Sequence, residues 1–430
     1  MSHYKDFCIL NYDIIGFDLD NTLLRFNINN MVPLYYDLLK KFLVFERNYP
    51  EQLLQLQFNA NFLLKGLIID ANCGNILKVS EDGTILKAAH GTKFLSDQEI
   101  IDIYGLSRTC SNVQTFVKDP LAAWNEPIDK ELRALMDYFD IGVSLVFAQT
   151  VDVLDRLSSG GDKLQKQHYK IWPDMLDGLM QIYTRENFAN GQSGFFEALK
   201  SNPDKYLLKT DASVIKLLRE LKACGKSLFL LSGSNIDFAN FTASYALGND
   251  WQDLFDYVIT FAKKPKFFQE QRQFLKVENL SEISESTISL TELLTPKTNY
   301  TRGNWEQLKK SICEKVLHKN PKHVETLYVG DNILQDVYAP KVVSSMDCLV
   351  VLEELLENDN NYDFKTIIRS PLWGSYFSEN GIPTLWSKLI EKYSKLCVSN
   401  MDVIAKVPIK DNIHCENKEG YFPQRPGSLK

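Results

Sequence analysis

The 430-residue sequence predicts an α/β fold: a doubly wound, Rossmann-like parallel sheet with an inserted, mainly helical domain. Three observations carry that expectation. Short apolar runs each end abruptly in polar residues, helix-periodic stretches separate several of those runs, and one long block keeps helical spacing without β punctuation. Strands that alternate with helices imply right-handed crossovers and hence a parallel sheet.

Residues 7–18 run apolar into Asp18 and Asp20 and read as a buried strand. Residues 31–66 have mostly helical spacing, and "GLIIDANCGNILKVSEDGTILKAAHG" (66–91) breaks into short β-rich runs at Asn72, Gly74, Asp82 and Gly83, so it reads as strands joined by hairpin turns. From Pro120 to about Gly194 the pattern is helical throughout, as in "VSLVFAQTVDVLDRL". Near residue 205 the alternation begins. A helix capped by Thr210 or Asp211 stops at Gly225, the strand of "SLFLLSGSN" (227–235) follows, then the helix "FANFTASYALG", the strand "FDYVIT" and, after a long connection, "VETLYVGDN" (324–332). Residues 275–303 are polar and Ser/Thr-rich and are expected as a surface excursion; the last 30 residues, with Pro408, Pro423 and Pro426, are expected as a tail. The boundaries follow: a core from 1–115 and 205–395, a helical cap insertion at 116–204, and a tail at 396–430.

Composition limits the function. At 44% apolar and 12% aromatic residues the chain can bury a substantial core. A net charge of −7 supplies no overall basic field for nucleic acid or an anionic membrane, and no apolar run approaches the roughly 18 residues that span a bilayer. "MSHYKDFCILNYDIIGF" does not read as a signal peptide. The eight cysteines (Cys8, Cys73, Cys110, Cys224, Cys313, Cys348, Cys397 and Cys415) lack C-x-x-C or metal spacing, so a reducing cytoplasm is expected.

Four strand ends carry polar residues: Asp18, Asp20 and Thr22; Ser232 and Gly233; Lys264; Gly330, Asp331 and Asp336. In a parallel sheet function sits beyond such ends. Each alone is weak, because D-x-D-x-T occurs by chance, a serine is often a turn residue and "VGD" is a common strand-to-helix turn; their common order is the signal. In extended chain Asp18 and Asp20 point to one side, about 6.6 Å apart. Paired carboxylates repel unless a cation lies between them, and with Asp331 the oxygen-rich set suits Mg²⁺. Lys264 and the backbone N–H groups of 232–234 suit a phosphate, so phosphoryl transfer is the expected chemistry.

These residues match a known pattern. The chain resembles the haloacid dehalogenase-like (HAD) phosphohydrolases and, within them, the cytosolic purine 5′-nucleotidase group, through "GFDLDNTL", "FLLSGSN", "VITFAKKPKFF", "LYVGDNILQDV" and the stretch 65–94, over about residues 10–395. The resemblance implies a HAD-like core with a helical cap and Asp18 as a nucleophile that becomes an aspartyl-phosphate. Asp20 would be the general acid and then the base. It implies Mg²⁺ held by the Asp18 carboxylate, the Asp20 carbonyl and Asp331, with Asp336 orienting the metal shell or Lys264. Ser232 and the Gly233 amide would bind phosphoryl oxygens, Lys264 would neutralise the transferring charge, and Thr22 would brace the turn. A small phosphorylated substrate, first a nucleoside 5′-monophosphate, and a homo-oligomer are also implied.

The chain departs from the group at three places. Gly233 stands where the purine nucleotidase has asparagine, and Asp140 in "YFDIGVSLVF" replaces an asparagine of the cap segment that meets the base. An anionic carboxylate cannot donate as an amide does. "QHYKIW" (167–172) lies too early to match the cap's His-Tyr-Lys stretch. These departures leave two readings: a Mg²⁺-dependent phosphomonoesterase, or a HAD scaffold kept for binding or regulation. Transfer of the phosphoryl group to a nucleoside would use the same residues.

Overall fold

The apolar run ahead of Asp18 forms strand β1 (Ile14–Phe17), every residue of which is buried. The computed structural model to which it belongs describes residues 7–121, 128–158, 169, 171–363, 365–413 and 420–421. Gln167, His168, Lys170, Cys415, Pro423 and Pro426 lie outside that set. The chain gathers into two compact units, one of Met1–Phe26, Leu207–Leu356 and Ile390–Lys430, the other of Asn27–Tyr206 and Glu357–Leu389.

The first unit is built on one sheet. After β1 its strands are β2 (Ser227–Leu231), β3 (Tyr257–Thr260), β4 (Phe274–Glu278), β5 (Ser281–Thr287), β6 (Asn299–Arg302), β7 (Thr326–Gly330), β8 (Asp347–Val351), β9 (Leu396–Val398) and β10 (Gly420–Tyr421). Their spatial order is β5-β4-β6-β3-β2-β1-β7-β8-β9-β10. Strands β6 through β9 in that order pair in parallel, whereas β4, β5 and β10 are antiparallel additions at the two sides. Helix α1 (Ala212–Ala223) precedes β2, with Asp211 accepting the Ser213 N–H as its cap. Helix α2 (Ile236–Leu247) connects β2 to β3 and helix α3 (Trp305–Ile312) precedes β7. Strands β2 and β3 run outward from β1 on one side, with β6, β4 and β5 beyond them, and the chain restarts with β7 on the other side of β1. The connections therefore diverge beyond the carboxyl ends of β1 and β7, the switch point where such sheets bind ligands.

Cross-strand packing at β1 explains a glycine in its middle. Gly16 pairs with Phe229 of β2, and a Cβ on Gly16 would lie 2.1 Å from the Phe229 ring. The ring occupies the place of the missing side chain.

The structure differs from the sequence reading in three segments. Residues 275–303, expected as a surface excursion, contain β5 and β6 and most of β4. Their polar alternation belongs to strands near a sheet edge, where one face meets solvent. Residues 396–398, expected to open the tail, form the buried strand β9, too short to stand out by periodicity. Inside the expected helical block, Leu132–Ala134 is a strand.

That last strand belongs to the second unit, where it extends an antiparallel sheet made of Ile68–Asp70, Asn75–Val79, Ile85–His90 and Lys93–Phe94. The hairpin turns read from 66–91 are thus present. Helix Ile28–Arg47 packs on helices Gly142–Ser158 and Trp172–Ile182. Buried tyrosines fasten it: the Tyr35 hydroxyl accepts the Gly142 N–H at 2.7 Å, and the Tyr36 hydroxyl donates to Gln149 Oε1 at 2.6 Å. These helices and the antiparallel sheet belong to the unit of Asn27–Tyr206 and Glu357–Leu389. No helix among the described residues is long and apolar enough to cross a membrane.

Candidate active site

Beyond β1 the chain turns at once. Asp18 donates its N–H to Val329 O of β7 at 2.8 Å, and the N–H groups of Leu23 and Leu24 both return to Leu19 O. Asn21 takes a left-handed conformation (φ 55°), which asparagine tolerates better than most residues. The two aspartates thus leave the strand on a tight loop rather than in extended chain. The Thr22 N–H donates to Leu19 O at 3.4 Å, while its buried hydroxyl has no hydrogen-bond partner among the described residues. Thr22 takes part in the turn through its backbone.

The side chains of Asp18 and Asp20 take different partners. Asp18 joins Asp331 and Asp336, and one carboxylate oxygen from each of the three lies within 4.8 Å of the others, all buried. Asp20 instead accepts the Ser234 hydroxyl at Oδ2, 2.9 Å away.

Lys264 reaches into the carboxylate cluster from the loop after β3. Its Nζ lies 2.9 Å from Asp18 Oδ1 and 2.6 Å from Asp336 Oδ1, and it donates to the Tyr328 hydroxyl at 3.4 Å. Burial disfavours the ammonium, yet the charges of Asp18 and Asp336 outweigh it and hold Lys264 well above its ordinary range. Burial is also the main influence on Asp336 and pushes its carboxyl upward against the pull of Lys264. Counted at formal charge, the three carboxylates of this buried cluster outnumber its one ammonium by two. An all-oxygen donor set with that charge fits a hard divalent cation, with Asp18, Asp331 and Asp336 as the groups able to hold it.

The supports of the site come from local geometry. Asp336 sits on a π-helical turn, Ile333–Tyr338, whose first N–H groups are capped by the Asn332 side chain. Asp336 Oδ2 accepts the Asn332 N–H at 3.1 Å, folding the carboxylate back under the turn. On the other side, the Phe261 N–H donates to Ser234 O and the Ala262 N–H to Ser232 O, so the loops after β2 and β3 are joined. Ser232 is fully buried and its Oγ accepts the Ser234 N–H at 3.0 Å. Gly233, between them, has open space where a Cβ would stand.

Asp18, Asp20, Thr22, Ser232, Gly233, Lys264, Asp331 and Asp336 thus all lie beyond the carboxyl ends of β1, β2, β3 and β7, Asp336 on the π-helical turn and the others on loops. Asp140 lies in the second unit. Its Oδ1 accepts the Asp137 N–H at 3.0 Å, closing the turn before helix Gly142–Ser158. Burial, with the Asp137 charge beside it, pushes its carboxyl up to about 7.

Sequence reasoning missed three participants. Tyr328 lies inside an apolar strand, where an aromatic residue signals core. Asn332 carried a readable signal, a cap residue directly before a helical turn. Ser234 entered only through its backbone, although its spacing from Ser232 repeats that of Asp20 from Asp18.

Fold and site define a mixed α/β protein with a buried carboxylate–lysine centre at the switch point of a parallel-rich sheet. The chain belongs to the 5′ nucleotidase family, which it matches over residues 8–367. Membership makes it a hydrolase of the phosphatase/nucleotidase class. It is 30% identical to 5′-nucleotidase domain-containing protein 1 of Homo sapiens, over 98% of this chain and 97% of that protein. The Bos taurus protein of the same name is equally similar, at 30% identity over 98% and 97% of the two chains. 5′-Nucleotidase domain-containing protein 2 of Homo sapiens is 24% identical over 77% of this chain and 59% of its own length.

Proposed function

We propose that the protein is a Mg²⁺-dependent phosphomonoesterase of the haloacid dehalogenase type, acting through an aspartyl-phosphate on a nucleoside 5′-monophosphate or a similar small phosphate, in the cytoplasm. The observation that carries this reading is Lys264, held between Asp18 and Asp336 in a buried cluster completed by Asp331. Such a centre offers both a fixed carboxylate nucleophile and cationic help for a transferring phosphoryl group.

In the first half-reaction an Asp18 carboxylate oxygen attacks phosphorus and the bond to the ester oxygen breaks. Asp20 gives that oxygen its proton, and the alcohol leaves. In the second, Asp20 takes a proton from water, the water oxygen attacks phosphorus, and the Asp18–phosphoryl bond breaks to release phosphate. Lys264 anchors one oxygen of Asp18 and neutralises charge on the phosphoryl oxygens. Ser232 and the Gly233 N–H orient those oxygens, and Asp336 holds Lys264 in place. Mg²⁺, carried by the Asp18 and Asp331 carboxylates and the Asp20 carbonyl, with Asp336 beside them, would supply further charge neutralisation at the phosphate.

The 5′-nucleotidase names of the relatives support a nucleoside 5′-monophosphate as the first substrate to try. The test is a panel of phosphomonoesters with Mg²⁺, run with wild type and Asp18→Asn in parallel. Turnover of at least one ester, lost in the variant, is expected. Silence across the panel, or turnover undiminished in Asp18→Asn, overturns the proposal.

A further inference from the structure

Ser234 is held more firmly than a turn serine needs to be. Its N–H donates to Ser232 Oγ at 3.0 Å, and its carbonyl accepts the Phe261 N–H at 2.8 Å, so its backbone is tied to its own loop and to the loop that carries Lys264. From that fixed platform its hydroxyl donates to Asp20 Oδ2 at 2.9 Å. One side chain thereby links the first loop of the site to the second, and the backbone links the second to the third.

We infer that Ser234 is a positioning residue that aims the Asp20 carboxylate at the leaving-group oxygen; the inference rests on the proposed function and names a group that reading does not use. A hydroxyl has one proton. With that proton given to Oδ2, the transferable proton of Asp20 resides on Oδ1, and the hydrogen bond fixes which way Oδ1 points. The proton passes from Oδ1 to the ester oxygen as the phosphorus–oxygen bond breaks and the Asp18–phosphorus bond forms. Ser234 itself gains and loses nothing in the step. Without it Asp20 loses the hydrogen bond that aims its carboxylate, and misaimed acids lose much of their effect.

Leaving-group dependence separates this role from a merely structural one. A nitrophenolate leaves without needing a proton, whereas an alkoxide needs one. The experiment measures kcat/KM, which reads the first half-reaction, for wild type, Ser234→Thr and Ser234→Val, with Mg²⁺. The substrates are p-nitrophenyl phosphate and the alkyl phosphate that wild type turns over best. Threonine and valine have the same shape, so the hydroxyl is the variable. We expect Ser234→Val to lose roughly tenfold or more on the alkyl ester and less than about twofold on the aryl ester, with Ser234→Thr near wild type on both. Equal losses on the two esters, no loss at all, or a Thr variant as poor as Val overturns the inference while leaving the proposed function standing. A wild type that turns over neither ester overturns the proposed function, and this inference with it.

Discussion

Gly330 and Asp336 fit together with no room for a methyl group between them: a Cβ on Gly330 would lie 2.4 Å from the Asp336 Cβ and 2.6 Å from its Oδ2. The last residue of β7 is therefore glycine because the π-helical turn folds its acidic side chain directly against that strand end. Gly330→Ala is expected to push Asp336 off Lys264, costing roughly 1–3 kcal/mol of stability and most of the activity. Urea unfolding and turnover of the best panel substrate check it; a variant of wild-type stability and rate would show that the fit does not matter.

Lys264 and Asp336 are both buried and charged, so removing one strands the other. Lys264→Met is expected to destabilise by about 3–5 kcal/mol, and Lys264→Met/Asp336→Asn by clearly less than the single change. A double-mutant cycle by urea denaturation measures this. Additive losses would mean that the two groups are not an interacting pair.

Asp140 ties stability to pH. Its folded pKa of about 7 lies above that of an unfolded aspartate, so its contribution is fully present below the unfolded value and is lost as pH rises through 7. Asp140→Asn keeps the oxygen that accepts the Asp137 N–H and removes the buried charge. The variant is expected to gain about 1–2 kcal/mol at pH 8, a few degrees in Tm, and little at pH 4. Thermal melts across that range test it, and a gain independent of pH would exclude the assignment.

Gly233 is the opposite of Gly330, since nothing stands within 4 Å of its absent Cβ. Gly233→Asn is expected to leave stability within about 0.5 kcal/mol of wild type. On the proposed function it should also change KM for nucleoside monophosphates, by placing a side chain beside the bound phosphate. Melting temperature and a KM series check both halves.

The parallel sheet and its polar strand ends were legible because each buried strand is an apolar run broken by the residues it delivers. Asp18, Ser232, Lys264 and Asp331 could be put in one site from their order alone. What escaped was short or depended on side-chain direction. Strand Leu132–Ala134 has three residues with an arginine at its centre, and β9 has three before a proline-containing segment, too few for a period to declare itself. The different partners of Asp18 and Asp20 escaped too, because the strand stops at Phe17 and the spacing rule for extended chain no longer applies. Ser234 was missed for the same reason: its role lies in where a hydroxyl points.

In the proposed reaction Asp18 carries the phosphoryl group. Acid-quenching the enzyme during turnover of a radiolabelled phosphomonoester, followed by peptide mapping, tests it most directly. Label is expected on the peptide that contains Asp18 and absent from Asp18→Asn. Phosphate release by wild type with no label on that peptide, or with label on another residue, would contradict it.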